Sequence, residues 1–150
     1  MDTSSPLEPM MGRVMSIDLG SVRVGIGLSD LSRTLASPFT TLTRESEDAE
    51  MISRILELAE QEEVAEIIVG LPRNLKIERN LAEKRALAFI EQLRRATSLP
   101  IIPVDERFTT VLAERRLRES GLNSKSMRSK VDAGAATEIL QEYLDQHGKR

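Results

Sequence analysis

Val14-Met15-Ser16-Ile17-Asp18-Leu19-Gly20-Ser21-Val22-Arg23-Val24-Gly25-Ile26-Gly27-Leu28-Ser29 is the stretch that decides the fold. Its first half is an apolar run that ends on an acid, Asp18. After the short Gly20-Ser21 link, Val22, Val24, Ile26 and Leu28 alternate with Arg23, Gly25, Gly27 and Ser29. Alternation at a period of two is the signature of a strand. A link this short makes the two runs an antiparallel hairpin. Strands are therefore expected over 13–19 and 22–29.

Reading outward, 34–43, with Thr40-Thr41-Leu42-Thr43, predicts a third antiparallel strand. The period then changes. Met51, Ile55, Leu58 and Ala59 fit one face of a helix that follows a polar start at Ser46 to Asp48. Ala65 to Val69 is a short apolar strand, stopped by Gly70-Leu71-Pro72. Leu81 to Ala96 is helical, with Ala82, Ala86, Phe89, Ile90 and Leu93 on one side. Leu99 to Val104 is a buried strand. Thr109 to Glu119 is a helix that stops at Gly121, and Ser129 to Gln146 is the last helix. Strands separated by helices run parallel. The fold class is thus α/β, with a mixed five-stranded sheet (three antiparallel strands, then two parallel) flanked by helices on both faces. Arg73 to Asn80 reads as the most exposed internal loop. Residues 1–11 carry Asp2 and Glu8 and lack the basic flank and apolar core of a secretory signal, so they read as a flexible tail. Residues 12–147 read as a single domain.

Composition narrows the chemistry. The chain has 150 residues, 40% hydrophobic and 30% charged, which is the balance of a soluble globular domain. It has no cysteine, which excludes thiol nucleophiles, disulfides and Cys-based zinc sites. Its one histidine is His147, near the C-terminus, which argues against a Ser-His-Asp triad. There is no Trp and aromatics are 3%, so base stacking is not expected to dominate a nucleic-acid contact. No apolar run approaches a membrane span. The net charge of −3 hides an asymmetry. Arg44 to Glu66 holds nine acids and two bases, whereas Arg107 to Lys130 holds seven bases and two acids. Both fit solvated helix faces. The basic segment also fits a phosphate-facing surface.

Three acids stand out. Asp18 ends the first strand, Glu106 follows Ile101-Ile102-Pro103-Val104-Asp105, and Asp132 shares a helical face with Ala136, Ile139 and Tyr143. A buried, unpaired carboxylate is costly and is normally compensated by a cation or a hydrogen-bond network. Three carboxylates that converge from distant segments would form a hard, all-oxygen site, suited to Mg²⁺ or Mn²⁺ and to phosphate esters. Each acid also has a plainer reading. Asp18 could satisfy a turn amide. Asp105, Glu106 and Arg107 could be an ion-pair cluster; Asp105 and Glu106 point to opposite faces, so one of them faces a site, and Glu106 is the choice. Asp132 could serve the helix dipole in a first turn. That last account leaves unexplained why Ala133-Gly134-Ala135-Ala136 keeps the helix slim, as close packing on a sheet would require. Gly25 and Gly27 remove side chains from one face of the second strand, which fits either the approach of a substrate backbone or a packed helix, and the packed helix is favoured.

Taken together, the segments resemble the YqgF family, also called RuvX-like or Holliday junction resolvase-like proteins, within the RNase H-like superfamily. The resemblance covers about 13–145. It rests on Ile17-Asp18-Leu19-Gly20-Ser21 with Arg23, Gly25 and Ser29-Asp30; on Val69-Gly70-Leu71-Pro72; on Asp105-Glu106-Arg107-Phe108-Thr109-Thr110; and on Lys130-Val131-Asp132 with Ala135-Ala136 and Ile139-Leu140. It implies an RNase H-like fold and a metal-dependent nuclease, and bacterial members are implicated in maturing the 5′ end of pre-16S ribosomal RNA. Carried across, Asp18, Glu106 and Asp132 become the catalytic, metal-binding carboxylates for Mg²⁺ or Mn²⁺. Arg23, Arg107 and Lys130 are candidates for phosphate contacts, and Asn74 is the candidate substrate contact in the loop after Gly70-Leu71-Pro72. The loop Arg73-Asn74-Leu75-Lys76-Ile77-Glu78-Arg79 keeps Asn74 but lacks the glycine usual in the family. The implied setting is cytoplasmic, with pre-rRNA favoured over junction DNA, the ribosome assembly machinery as a partner, no membrane, and a monomer or weak dimer.

Three other readings stay open. A DNA-junction resolvase would use the same chemistry and need a dimer. Asp18-Leu19-Gly20-Ser21 is also similar to the first phosphate motif of actin-like nucleotide-binding proteins, which need a second lobe. A non-catalytic RNA-binding factor is the third.

Overall fold

The computed structural model describes residues 12–20, 22–44, 47–71, 77–105 and 124–147, with the backbone alone for 77–80 and 124–133. The hairpin forms as its alternation requires. β1 (Arg13–Leu19) pairs antiparallel with β2 (Arg23–Ser29), placing Asp18 opposite Gly25 and Ser16 opposite Gly27. β3 (Ala36–Thr43) extends the sheet antiparallel to β2. α1 (Asp48–Gln61) then leads to β4 (Val64–Leu71), α2 (Ile77–Ala96), β5 (Ile101–Asp105) and α3 (Ser124–His147). The strand order is β3-β2-β1-β4-β5, with β1–β4 and β4–β5 parallel. The mixed five-stranded sheet expected from the sequence is thus the sheet observed.

Several boundaries differ from the sequence reading, each for a local reason. β3 starts at Ala36 rather than 34 because Asp30 organises the preceding loop. Its Oδ1 accepts the amides of Thr34 at 2.8 Å and Leu35 at 3.2 Å. The Thr34 amide is the main cause that holds the Asp30 carboxyl below its usual range. β4 runs on through Gly70 to Leu71, since both still pair with β5, at Val104 and Asp105. α2 begins four residues before Leu81, and α3 five residues before Ser129. Ser124 to Lys130 holds a single apolar residue, Met127, so no apolar period marks that first stretch of α3. The helix expected over Thr109 to Glu119 lies outside the described residues.

The sheet buries both faces. On one, Met15, Ile17, Val24, Ile26, Ile67 and Val69 pack against Met51, Ile55 and Ala59 of α1 and Ala86, Phe89, Ile90 and Leu93 of α2. On the other, Val14 and Ile68 pack against Ile139, Leu140 and Leu144 of α3. Alternation along each strand therefore sorts the polar residues. Ser16 and Asp18 follow Val14 onto the α3 face, and Arg23, Gly25, Gly27 and Ser29 share it, opposite to Val24 and Ile26.

Two contacts tie α3 to the start of the sheet. Tyr143 donates its hydroxyl to Glu66 Oε2, and Glu66 Oε1 accepts from Arg33 at 3.0 Å. Arg33, in a left-handed conformation at φ 60, also donates to the Gly12 carbonyl at 2.9 Å. Burial, reinforced by the Glu66 acceptor, holds the Tyr143 hydroxyl well above the usual tyrosine range. Gln141 bridges to β3, accepting from the Ala36 amide at 2.9 Å and donating to the Thr34 carbonyl at 3.1 Å.

Candidate active site

Asp18 is the next-to-last residue of the central strand, half-buried on the α3 face. The turn that follows leaves no room for a side chain at Gly20. Gly20 donates to the Arg23 carbonyl at 2.8 Å, and a Cβ at Gly20 would lie 2.7 Å from that same oxygen. Arg44 braces the turn from the end of β3. Its Nη1 donates to the Gly20 carbonyl at 2.9 Å, its amide donates to the Val22 carbonyl at 2.8 Å, and its Nη2 pairs with Asp48 at 2.7 Å. Arg23 opens β2 at the same end of the sheet and on the same face as Asp18. Among the described residues its guanidinium has no ion-pair partner.

The direction of α3 places the second acid. Tyr143 reaches Glu66, which sits beside Val14 in the β1–β4 ladder. Ala136, two turns earlier in the helix, lies over the middle of β1, where Ser16 Oγ donates to its carbonyl at 2.7 Å. α3 therefore runs antiparallel to β1. One turn before Ala136, about 6 Å along the axis, is Asp132. Two residues beyond Ser16, about 6.6 Å along β1, is Asp18. Both steps go the same way, so the backbone turn that carries Asp132 comes to the end of the sheet where Asp18 lies. Lys130 is on the helix just beyond it, and the side chains of both Asp132 and Lys130 are outside the described residues.

The third segment ends at the same edge. Gly70 pairs with Val104, one step past the row formed by Ile17, Val69 and Pro103. Asp105 closes β5 beside Leu71, exposed, and on the face opposite to Ile102 and Val104. Glu106, Arg107 and Asn74 lie outside the described residues. Among the described residues no three acidic or histidine side chains come close enough to hold a metal.

Sequence reasoning passed over two residues that shape this end of the sheet. Ser16 was legible only as a small polar residue in an apolar strand, and its partner is 120 residues away. Arg44 carried no signal, because its role depends on where the β1–β2 turn arrives. Gly27 has the role that close packing suggested. A Cβ there would lie 2.6 Å from Ser16 Oγ and 3.3 Å from the Ala136 carbonyl oxygen.

Comparison with known proteins agrees with this architecture. Residues 12–146 match the model of the RuvX family, described as Holliday junction resolvase. A Mycobacteroides abscessus protein is 41% identical over 146 residues, covering 97% of this chain and 88% of that one. A Rhodococcus jostii protein is 43% identical over 146 residues, covering 95% and 82%. Both are provisionally named pre-16S rRNA nucleases. Among solved structures, T. thermophilus RuvC in complex with a Holliday junction substrate superposes with a TM-score of 0.59 at 15% identity, covering 91% of this chain and 96% of that one. That likeness extends to the fold, which is RNase H-like. With the family match spanning nearly its whole length, the chain belongs to the RuvX family of Holliday junction resolvase-like proteins.

Proposed function

We propose that the protein is a divalent-metal-dependent nuclease that hydrolyses phosphodiester bonds in structured RNA, at the end of the sheet where β1 carries Asp18. Residues 12–147 act as one domain. The observation that carries this reading is the antiparallel seating of α3 on β1, fixed by the Ser16–Ala136 and Tyr143–Glu66 bonds, which runs the Asp132 turn toward Asp18. Family membership and the provisional names of the relatives support phosphodiester chemistry.

The donor set fits a hard cation. Asp18 offers a half-buried carboxylate with glycine as its cross-strand partner, and the chain has no thiol to attract a softer ion. Asp18, Glu106 and Asp132 would hold Mg²⁺ or Mn²⁺. Such ions lower the pKa of a bound water and offset charge on the phosphoryl oxygens. The remaining roles belong to side chains. Arg23, Arg107 and Lys130 contact phosphates, Asn74 contacts substrate, and the Arg44-braced turn keeps Asp18 and Arg23 in register.

RNA is favoured over DNA by the names of the relatives, with pre-16S rRNA as the substrate and the ribosome assembly machinery in the cytoplasm as the setting. The family description keeps junction DNA as the second reading. A junction of two-fold symmetry demands a dimer, whereas the RNA reading works with a monomer or weak dimer. No described helix is long and apolar enough to cross a membrane.

The test is a panel of rRNA precursor, junction DNA and single strands, each with Mg²⁺, Mn²⁺ or chelator. Cleavage of the precursor only with metal is expected. Cleavage confined to junction DNA moves the protein to the resolvase reading. Tight RNA binding without cleavage in any metal makes it a non-catalytic binding factor.

A further inference from the structure

We propose that Ser16 is a positioning residue for this reaction: its hydroxyl pins α3 to β1 and thereby sets the separation between Asp18 and Asp132. The inference rests on the metal-nuclease reading above.

Ser16 is fully buried on the face that Val14 and Ile68 fill with aliphatic side chains. A buried hydroxyl without a partner is destabilising, so its presence among aliphatic neighbours calls for one. Its partner is a main-chain atom, the Ala136 carbonyl at 2.7 Å. That choice matters. Contacts among Val14, Ile68, Ile139 and Leu140 tolerate small slides of the helix, because apolar packing is non-directional. A hydrogen bond to a helix backbone oxygen fixes both axial position and rotation. Gly27, opposite Ser16 in the ladder, leaves no slack, since a Cβ there would lie 2.6 Å from Ser16 Oγ and 3.3 Å from the Ala136 oxygen.

The pin sits one strand repeat from Asp18 and one helical turn from Asp132. Within so short a stretch both elements are stiff, so a slide at Ala136 passes undamped to the Asp132 turn. Site geometry must hold to about 0.5 Å to function. Nothing comparable is required of the fold, which Tyr143 and Gln141 also anchor further along α3.

The experiment compares the full chain with Ser16→Ala, Gly27→Ala and the double variant. Mn²⁺ is titrated without nucleic acid by its effect on Tm, and separately in a cleavage assay. Hydrogen exchange of the Gly134 to Leu140 amides is followed in metal-free protein. Ser16→Ala should raise the half-saturating Mn²⁺ concentration by about tenfold or more in both titrations, as loss of a supporting partner does at metal sites. It should also speed exchange along that stretch of α3. Gly27→Ala leaves every proposed ligand intact yet should raise the same concentration, because its new methyl pushes on Oγ. The double variant removes that atom and should be no worse than Gly27→Ala alone. Parent-like Mn²⁺ half-saturation in Ser16→Ala overturns the proposal. Should that variant fold poorly, parent-like half-saturation in Gly27→Ala does the same. Failure of the underlying reading looks different: the parent itself would show neither Mn²⁺ stabilisation nor metal-dependent cleavage, and both ideas would go together.

Discussion

Replacing Tyr143 by Phe probes how firmly α3 is seated at the start of the sheet. The hydroxyl donates to Glu66, whose side chain is 13% exposed and shares its other oxygen with Arg33. A hydrogen bond to a charged acceptor contributes about 1.5–3 kcal/mol. Arg33 remains on Glu66 in the variant and some water can reach it, so the lower half of that range applies, about 1.5–2 kcal/mol at pH 7. The pH dependence makes the test sharper. Burial first, and the Glu66 acceptor second, hold the Tyr143 hydroxyl above its ordinary range in the folded protein. In the unfolded chain it ionises near its ordinary value, about 10. The stabilisation is therefore fully present below about pH 10 and is lost as pH rises from there toward the folded value. Over that window the gap between parent and Tyr143→Phe should close by up to about 1.4 kcal/mol per pH unit, and by less where solvent screens the half-buried ring. Urea denaturation of both proteins at pH 7, 9, 10 and 11 gives the comparison directly. A neutral substitution at pH 7, or a gap that stays constant through pH 11, would refute the reasoning.

Other perturbations test separate parts of the account. Asp132→Asn keeps the size of the side chain but removes one charge from the proposed carboxylate cluster. The metal-free variant should be at least as stable as the parent, lose stabilisation by Mn²⁺ and be inactive; a helix-terminus role would instead cost about 0.5–2 kcal/mol with cleavage intact. Arg44→Ala strips the brace from the Gly20 carbonyl and leaves Asp48 unpaired. Melting should show a loss of about 1 kcal/mol, with activity falling more than stability alone explains. Arg115 and Arg118 belong to the basic segment singled out by its charge. Changing both to Ala should flatten the slope of log K against log salt for RNA binding by up to about 0.7–0.9 for each phosphate that is no longer neutralised, and an unchanged slope places the binding surface elsewhere.

Much of the fold was legible because single residues report single environments. Val24, Ile26 and Leu28 alternate with glycines and polar residues, so the hairpin and its two faces could be read directly. Phe89, Ile90 and Leu93 gave the buried side of α2 in the same way. The start of α3 was not legible, since Met127 is the one apolar residue from Ser124 to Lys130 and a single residue sets no period. The start of β3 was missed because Asp30 builds its loop through backbone amides, which leave no periodicity. Asp18 was legible as an acid at the end of an apolar run. The Ser16–Ala136 pin and the Arg44 brace were not, because each joins atoms whose proximity only the assembled sheet creates.

The central claim is that Asp18 anchors metal-dependent hydrolysis of structured RNA. Its most direct test is cleavage of a pre-16S rRNA precursor by the parent and Asp18→Asn, side by side, in Mn²⁺ and in chelator. The account predicts cleavage by the parent in Mn²⁺ alone and none by Asp18→Asn, although the variant folds. Parent-like cleavage by Asp18→Asn, or full cleavage in chelator with contaminating nuclease excluded, would contradict it.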